Sequence, residues 1–191
     1  MKRYELFSVI GILLVIFSAT YINLGISLRR SRDNQRKSDL RSIANGLVGF
    51  QADYAFFPYA TTDKITACVE DDFDPKTLTK DDQIPFVDCE WGVDAIRDIL
   101  DLAYPAYQDR LPRDPKANEG SEYLYISNGR RFQLFAYLEG GSDDIEYKPE
   151  VEARQLMCGN RICNFGAAFS STPLDKTLEE YENELKRLEE Q

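Results

Sequence analysis

An uncharged and mostly apolar segment occupies residues 6–28, near the start of this 191-residue chain. Its 23 residues, LFSVIGILLVIFSATYINLGISL, would extend roughly 34 Å as an α-helix, which is enough to cross a bilayer. The alternative is a core helix, but a soluble domain of this size seldom buries a helix on all sides. We therefore predict a membrane-spanning helix over residues 1–28, followed by a body outside the membrane core.

The charge of the chain is divided between a basic N-terminal part and an acidic body. Residues 1–41 contain eight Lys and Arg against three acidic residues, whereas residues 42–191 contain 15 basic and 30 acidic residues. This excess of negative charge argues against nucleic-acid binding by the body. The absence of histidine excludes Ser-His-Asp and Cys-His catalysis and His-ligated zinc. No other catalytic set stands out, so we expect a protein that is not an enzyme.

A second helical pattern follows the apolar segment without interruption. Residues 29–54 lack proline, and their apolar residues recur at steps of 3, 4, 3 and 4, which places them on one face of a helix. These residues are Leu40, Ile43, Leu47, Phe50 and Tyr54. Pro58 biases the residue before it away from helical angles. The pattern predicts a stem helix over residues 29–56, continuous with the membrane span and packed on a globular body.

The remaining sequence predicts a small antiparallel sheet. Two apolar runs flank Asn128-Gly129, which favours a β-hairpin whose second strand turns Phe132, Leu134 and Ala136 to one face and Phe135 and Tyr137 to the other. Residues 157–165 predict a further strand or hairpin, and residues 91–104 predict a short helix. The acidic insert at residues 60–90 is interpreted as a loop with little regular structure. The fold class is therefore α+β, with a long N-terminal helix packed on the sheet.

The C-terminal segment, residues 171–191, predicts an amphipathic helix. Thr172 and Pro173 suit the N-cap and the first helical position. Apolar residues then recur at helical steps, at Leu174, Leu178, Tyr181, Leu185 and Leu188. This helix could dock on the body, pair with another chain or extend into solvent, and the sequence leaves these three arrangements open.

Four cysteines bear on both stability and location. An even number suits disulfides and allows three pairings, of which we favour Cys68 with Cys89 and Cys158 with Cys163. Zinc is the competing interpretation, but no CxxC motif is present. Disulfides persist in oxidising compartments, which places the body outside the cytoplasm. The positive-inside rule points the other way, because Arg29, Arg30, Arg32, Arg36 and Lys37 follow the span.

Residues 5–57 and 111–139 carry a resemblance to a known family. Glu5 begins the apolar span, and the basic-polar stretch RRSRDNQRKSDLRSIANGLVGFQADYAFFPY leads to an aromatic-Pro turn. The later segment LPRDPKANEGSEYLYISNGRRFQLFAYLEGG follows the pattern P-x-DP, Y-x-Y and G-x-x-F-x-L-x-A. The chain thereby resembles the type IV pilins and the pseudopilins of type II secretion. Residues 29–170 would form the pilin-like domain.

The resemblance implies a structural subunit of a filament. Glu5 would neutralise the amino terminus of a neighbouring chain, and the helix would bind copies of itself or other pilins, the membrane and the assembly machinery of a pilus or secretion system. The body would be extracytoplasmic, or extracellular in an assembled filament. A loop after the second strand binds calcium in some pseudopilins, which makes Asp143, Asp144 and Glu146 weak calcium candidates. The alternative is a single-pass membrane protein with an extracytoplasmic binding domain that does not polymerise.

Overall fold

A single long helix organises the molecule. The computed structural model describes residues 3–70, 72–79 and 83–190, and leaves out the side chains of residues 3–6, Ser8, Ala19 and Ile22. Helix α1 spans residues Arg3–Tyr54. It ends at Ala55, whose φ of 63° is left-handed, and the chain then turns so that the Phe57 amide donates to the Gly129 carbonyl at 2.8 Å. The predicted end near Phe56 is therefore correct to within two residues.

The second half of α1 packs on the body through the predicted stripe. Leu40, Ile43, Leu47 and Phe50 are fully buried. Tyr54 stacks on Phe50 with ring centroids 4.3 Å apart, and its hydroxyl donates to Asp98. The spacing of apolar residues thus correctly predicts which face of the helix is buried, because only residues at helical steps share one face.

The main sheet lies beneath this stripe. Strands β4 (Leu124–Ser127), β5 (Phe132–Ala136) and β8 (Phe165–Ala168) are antiparallel in the order β4-β5-β8. Gly129, with a φ of 80°, lies in the turn of the predicted β4–β5 hairpin. Phe132, Leu134 and Ala136 face the main core under α1, and Phe135 faces a smaller core with Val151. Both the hairpin and its two faces are as predicted.

The acidic insert is more ordered than expected. Three short antiparallel strands form a second sheet, β1 (Tyr59–Ala60), β2 (Ile65–Cys68) and β3 (Val87–Asp88), in that order. Ile65 and Ala67 of β2 are buried in the main core. The prediction of a loop was wrong here because the strands are too short to produce a clear alternation, and the Cys68–Cys89 disulfide holds two of them together.

Residues 91–104 form turns rather than the predicted helix. Ile96 pairs with Gln108 as an isolated antiparallel bridge, and its side chain is buried. Aspartate side chains accept the amides that a helix would direct to its own carbonyls: Asp98 accepts from Leu100, and Asp101 accepts from Ala103. Such local side-chain bonds compete with helix formation.

A small two-stranded sheet and two helices complete the body. Strands β6 (Met157–Cys158) and β7 (Arg161–Ile162) form the predicted hairpin, with α2 (Pro149–Ala153) before it. Helix α3 (Leu178–Glu189) begins later than expected, because Thr177 and Glu180 form a capping box and Thr172 does not cap it. Its first turn docks: Leu178 is buried, and Arg131 lies 5.0 Å over the Tyr181 ring. Leu188 is exposed.

Candidate functional site: an exposed apolar helix joined to the body by ion pairs

The first half of α1 is an apolar surface with no protein covering it. Between residues 9 and 28 the large hydrophobic side chains that the structure describes are 40–72% exposed. An 18-residue window of this helix has a mean hydropathy of 2.2, and none of it is buried. The helix is therefore long and apolar enough to cross a membrane. This feature is the first part of the candidate site, which we call the anchor segment (residues 9–28).

The polar residues of the anchor segment are compatible with an apolar environment. Ser18 donates to the Leu14 carbonyl and Thr20 to the Ile16 carbonyl, each at 2.8 Å. These bonds satisfy the hydroxyls within the helix, which lowers the cost of placing them in lipid or against another helix. Glu5 lies in the helical backbone before this segment, but its side chain falls outside the described residues. Its predicted role in assembly remains a prediction.

A cluster of ion pairs joins the helix to the body immediately after the anchor segment. Arg36 is fully buried at its centre. Its guanidinium donates to Asp114 at 2.7 Å, to Asp33 at 2.8 Å and to Glu139 at 2.9 Å. The Arg32 guanidinium makes a bidentate interaction with the Glu139 carboxylate and donates two hydrogen bonds of 2.6 Å each. The buried cation therefore has carboxylate partners from its own helix and from two separate parts of the body.

The three calcium candidates belong to the same ion-pair cluster. Asp144 accepts from Lys37 at 2.6 Å, and Glu146 accepts from Arg41 at 2.9 Å. Asp143 lies 3.8 Å from Arg29. Each carboxylate thus faces a basic residue of α1 rather than a common ligand position. Among the described residues, no group of three or more His, Cys, Asp or Glu side chains is placed to hold a metal ion.

Electrostatics keep this cluster ionised. The bonds from Arg32, reinforced by Arg36, lower the pKa of the Glu139 carboxyl to about 2 despite its partial burial. Burial works to lower the pKa of the Arg36 guanidinium, but its bonds to Asp114 and Glu139 prevail and raise it. Both groups are therefore charged throughout the physiological range.

A buried tyrosine bond continues the contact along the stem. The Tyr123 hydroxyl donates to Asp39 at 2.6 Å. Burial raises the pKa of the Asp39 carboxyl, and it also raises the pKa of the Tyr123 hydroxyl, which remains a donor. Trp91 packs edge-on against Tyr123, with centroids 5.9 Å apart. This arrangement fixes the helix to the segment that precedes β4.

The structural role of these basic residues was not predicted from the sequence. The run from Arg29 to Lys37 indicates membrane topology by the positive-inside rule, but in the fold Arg32, Arg36 and Lys37 are also bonded to carboxylates of the body. Two features could have indicated this: the i,i+3 spacing of Asp33 and Arg36, and the acidic run at residues 139–146.

Both disulfides have the pairing that the sequence favoured. Cys68 bonds to Cys89 and Cys158 bonds to Cys163, and no described cysteine is free. The first bond fastens the insert sheet to the main core, and the second closes the β6–β7 hairpin against the smaller core. The chain matches no protein-family model, no curated protein and no solved structure.

Proposed function

We propose that this protein is a pilin-like or pseudopilin-like structural subunit. Its anchor segment would sit in the membrane before assembly and pack against copies of itself, or against other pilins, in a type IV pilus or type II secretion pseudopilus. The observation that carries the proposal is the division of one continuous helix into an exposed apolar half and a half buried on an α+β body. Such an exposed half needs either lipid or other apolar helices around it.

The surface of the anchor segment supports helix-to-helix packing. Gly11, Ser18 and Gly25 recur every seven residues and therefore lie along one side of the helix. A Cβ added at Gly11 or Gly25 would meet nothing within 4 Å, so the helix surface is open at both positions. Small residues of this kind let helix backbones approach closely. A filament core made of such helices would bury the surface that the single chain exposes.

The two disulfides support a body outside the cytoplasm, since disulfide bonds persist in oxidising compartments. The proposed location is a single-pass membrane protein with an extracytoplasmic body, or an extracellular filament once assembled. Arg32, Arg36 and Lys37, which follow the anchor segment, have a structural role in the ion-pair cluster, which accounts for their presence independently of topology.

The test is a conservative change at Glu5 in cells that assemble the filament. Glu5→Gln should abolish or strongly reduce filaments that can be sheared from the cell surface, because a neighbour's amino terminus would lose its partner carboxylate in a medium of low dielectric. Membrane insertion, measured by resistance to carbonate extraction, should be unchanged. Glu189→Gln, at an exposed position of α3, is the matched control and should assemble normally.

Normal filament yield from Glu5→Gln would contradict the assembly mechanism. The alternative function, a single-pass membrane protein that does not polymerise, is favoured by the fact that the anchor segment is apolar on all sides, which lipid alone can satisfy. That alternative predicts no filaments from the unaltered chain and only monomers after chemical cross-linking of intact membranes.

A further inference from the structure

A polar cavity of about 220 Å³ lies where the anchor segment meets the body. It is lined by residues from separate parts of the chain, including Arg29 of α1, Lys116 and Ser121 of the segment before β4, and Arg161 of β7. A cavity needs only about 10–15 Å³ to admit one water, so this space has room for a larger group. Its lining contains four basic side chains against two acidic ones in a body that is otherwise strongly acidic.

Two donors at this cavity have no hydrogen-bond partner among the residues that the structure describes. The Ser121 side chain is only 4% exposed, and its hydroxyl is buried and unpaired. The Nε of Arg29 is also buried and unpaired. Buried polar groups without partners are rare and destabilising, and an acceptor in the cavity would supply what both donors lack.

The positive charge at the cavity is only partly neutralised. Glu139 is already bonded to Arg32 and Arg36, and Glu119 to Lys116. Arg161 has no carboxylate within salt-bridge distance among the described residues, and its guanidinium lies 5.8 Å over the Tyr137 ring. Arg36 is bonded to Asp33, Asp114 and Glu139, and Arg29 lies 3.8 Å from Asp143, so Arg161 is the lining cation without a described carboxylate beside it. This unpaired cation, together with the two unpaired donors, favours an anionic ligand.

We propose that this cavity binds the phosphate group of an anionic ligand, and that a lipid headgroup presents it. The basic and hydroxyl donors come from α1, the segment before β4 and β7, so they approach from several directions. A tetrahedral phosphate offers acceptor oxygens in several directions, whereas a carboxylate offers two in one plane. Arg29 directly follows the uncharged segment, which puts the cavity at headgroup level if that segment crosses a bilayer. The lipid source rests on the proposed membrane anchoring, while the phosphate chemistry does not.

The test uses the full chain in a neutral detergent, so it is independent of filament formation. Short-chain phosphatidylglycerol should bind and raise the thermal unfolding midpoint, followed by the fluorescence of the single tryptophan, Trp91. Phosphatidylcholine should bind far more weakly, because its choline cation meets the same basic groups. Inorganic phosphate should compete, which identifies the phosphate group as the recognised part. Tighter binding of phosphatidylglycerol than of inorganic phosphate identifies the lipid as the source. Acetate should not compete.

The variants separate a binding site from a structural cavity. Arg161→Gln should weaken phosphatidylglycerol binding about tenfold, which is the size expected for one charge-assisted bond. Ser121→Ala should also weaken binding but leave the ligand-free midpoint unchanged or higher, because it removes an unpaired buried hydroxyl. Arg130→Gln, in the exposed hairpin turn, is the control that loses the same charge elsewhere. Wild-type binding by both site variants, equal binding of the two lipids, or competition by acetate would each overturn the proposal.

Discussion

The two halves of α1 are parts of one helix in opposite surroundings. In the anchor segment the described large hydrophobic residues lie on every side and are exposed, whereas in the stem the apolar residues are concentrated in one stripe, of which Leu40, Ile43, Leu47 and Phe50 are fully buried. Hydrophobicity is therefore not what places a helical segment against its own body. The distribution of apolar residues around the helix determines its surroundings. A single apolar stripe fits one protein surface, whereas apolar residues on all sides need an environment that surrounds the helix. The experiments below test this difference.

The largest difference should appear when each half is removed. A fragment of residues 29–191 should fold in solution, because it retains the buried stripe and the ion-pair cluster. A fragment of residues 60–191 should lose its tertiary structure. It lacks Leu40, Ile43, Leu47 and Phe50, and burial of each side chain contributes about 1.5–3 kcal/mol, a sum comparable to the net stability of a small domain. Urea unfolding and amide dispersion in NMR spectra measure the outcome.

Cooperative unfolding of the 60–191 fragment would show that the stem is a separate stalk. That result would mean that neither half of α1 is needed for the body to fold, and it would favour the alternative function of a single-pass membrane protein that does not polymerise. Loss of folding in the 29–191 fragment would show the opposite, that the anchor segment also supports the body.

A matched pair of substitutions sharpens the comparison at single residues. Leu47→Ala removes a fully buried side chain and should cost about 2–5 kcal/mol of unfolding free energy. Leu13→Ala removes the same atoms from a side chain that is 58% exposed, and in detergent it should change body stability by less than about 0.5 kcal/mol. Denaturant unfolding followed by Trp91 fluorescence reports both. Equal costs would mean that the anchor segment contacts the body.

The effect that depends on pH concerns the ion pairs at the boundary between the halves. Since the pKa of Glu139 is lowered to about 2 in the fold, below about 4.3 in the unfolded chain, its stabilising contribution is present above that unfolded value and disappears as the pH falls towards 2. Glu139→Gln should therefore be less stable than the unaltered protein at pH 7, and the gap should narrow between pH 4.5 and 2.5. The urea midpoint at several pH values measures it. A stability difference that does not change with pH would mean that the charge of Glu139 does not contribute to stability.

Local patterns explain which parts of the fold the sequence could predict. The stem stripe and the Asn128-Gly129 hairpin depend on residues near each other in the chain, and both were predicted correctly. The helix over residues 91–104 was wrong because the apolar spacing there competes with aspartate side chains that bind backbone amides. The start of α3 was misplaced because Thr172-Pro173 and Thr177 with Glu180 both resemble helix starts, and only the second forms a capping box.

The ion-pair cluster could not be predicted in the same way. Arg36 meets Asp114 and Glu139 at separations of 78 and 103 residues, and no local periodicity relates such positions. The cavity beside it depends on the same long-range packing, because Arg29 and Arg161 line it from positions far apart in the chain. Charge counts along the chain indicated an excess of basic residues but not which of them would be paired.

The ion pairs between the stem and the loop after β5 also determine how force passes from the helix to the body. They are formed by Arg32, Arg36, Lys37 and Arg41. To turn about its own axis, or to slide by one turn of about 5.4 Å, the helix would have to exchange all of these partners at once. These ion pairs therefore restrict rotation and sliding of the helix relative to the body. A pull or twist applied at the anchor segment would pass to the body through several ion pairs at once, rather than through a single flexible joint.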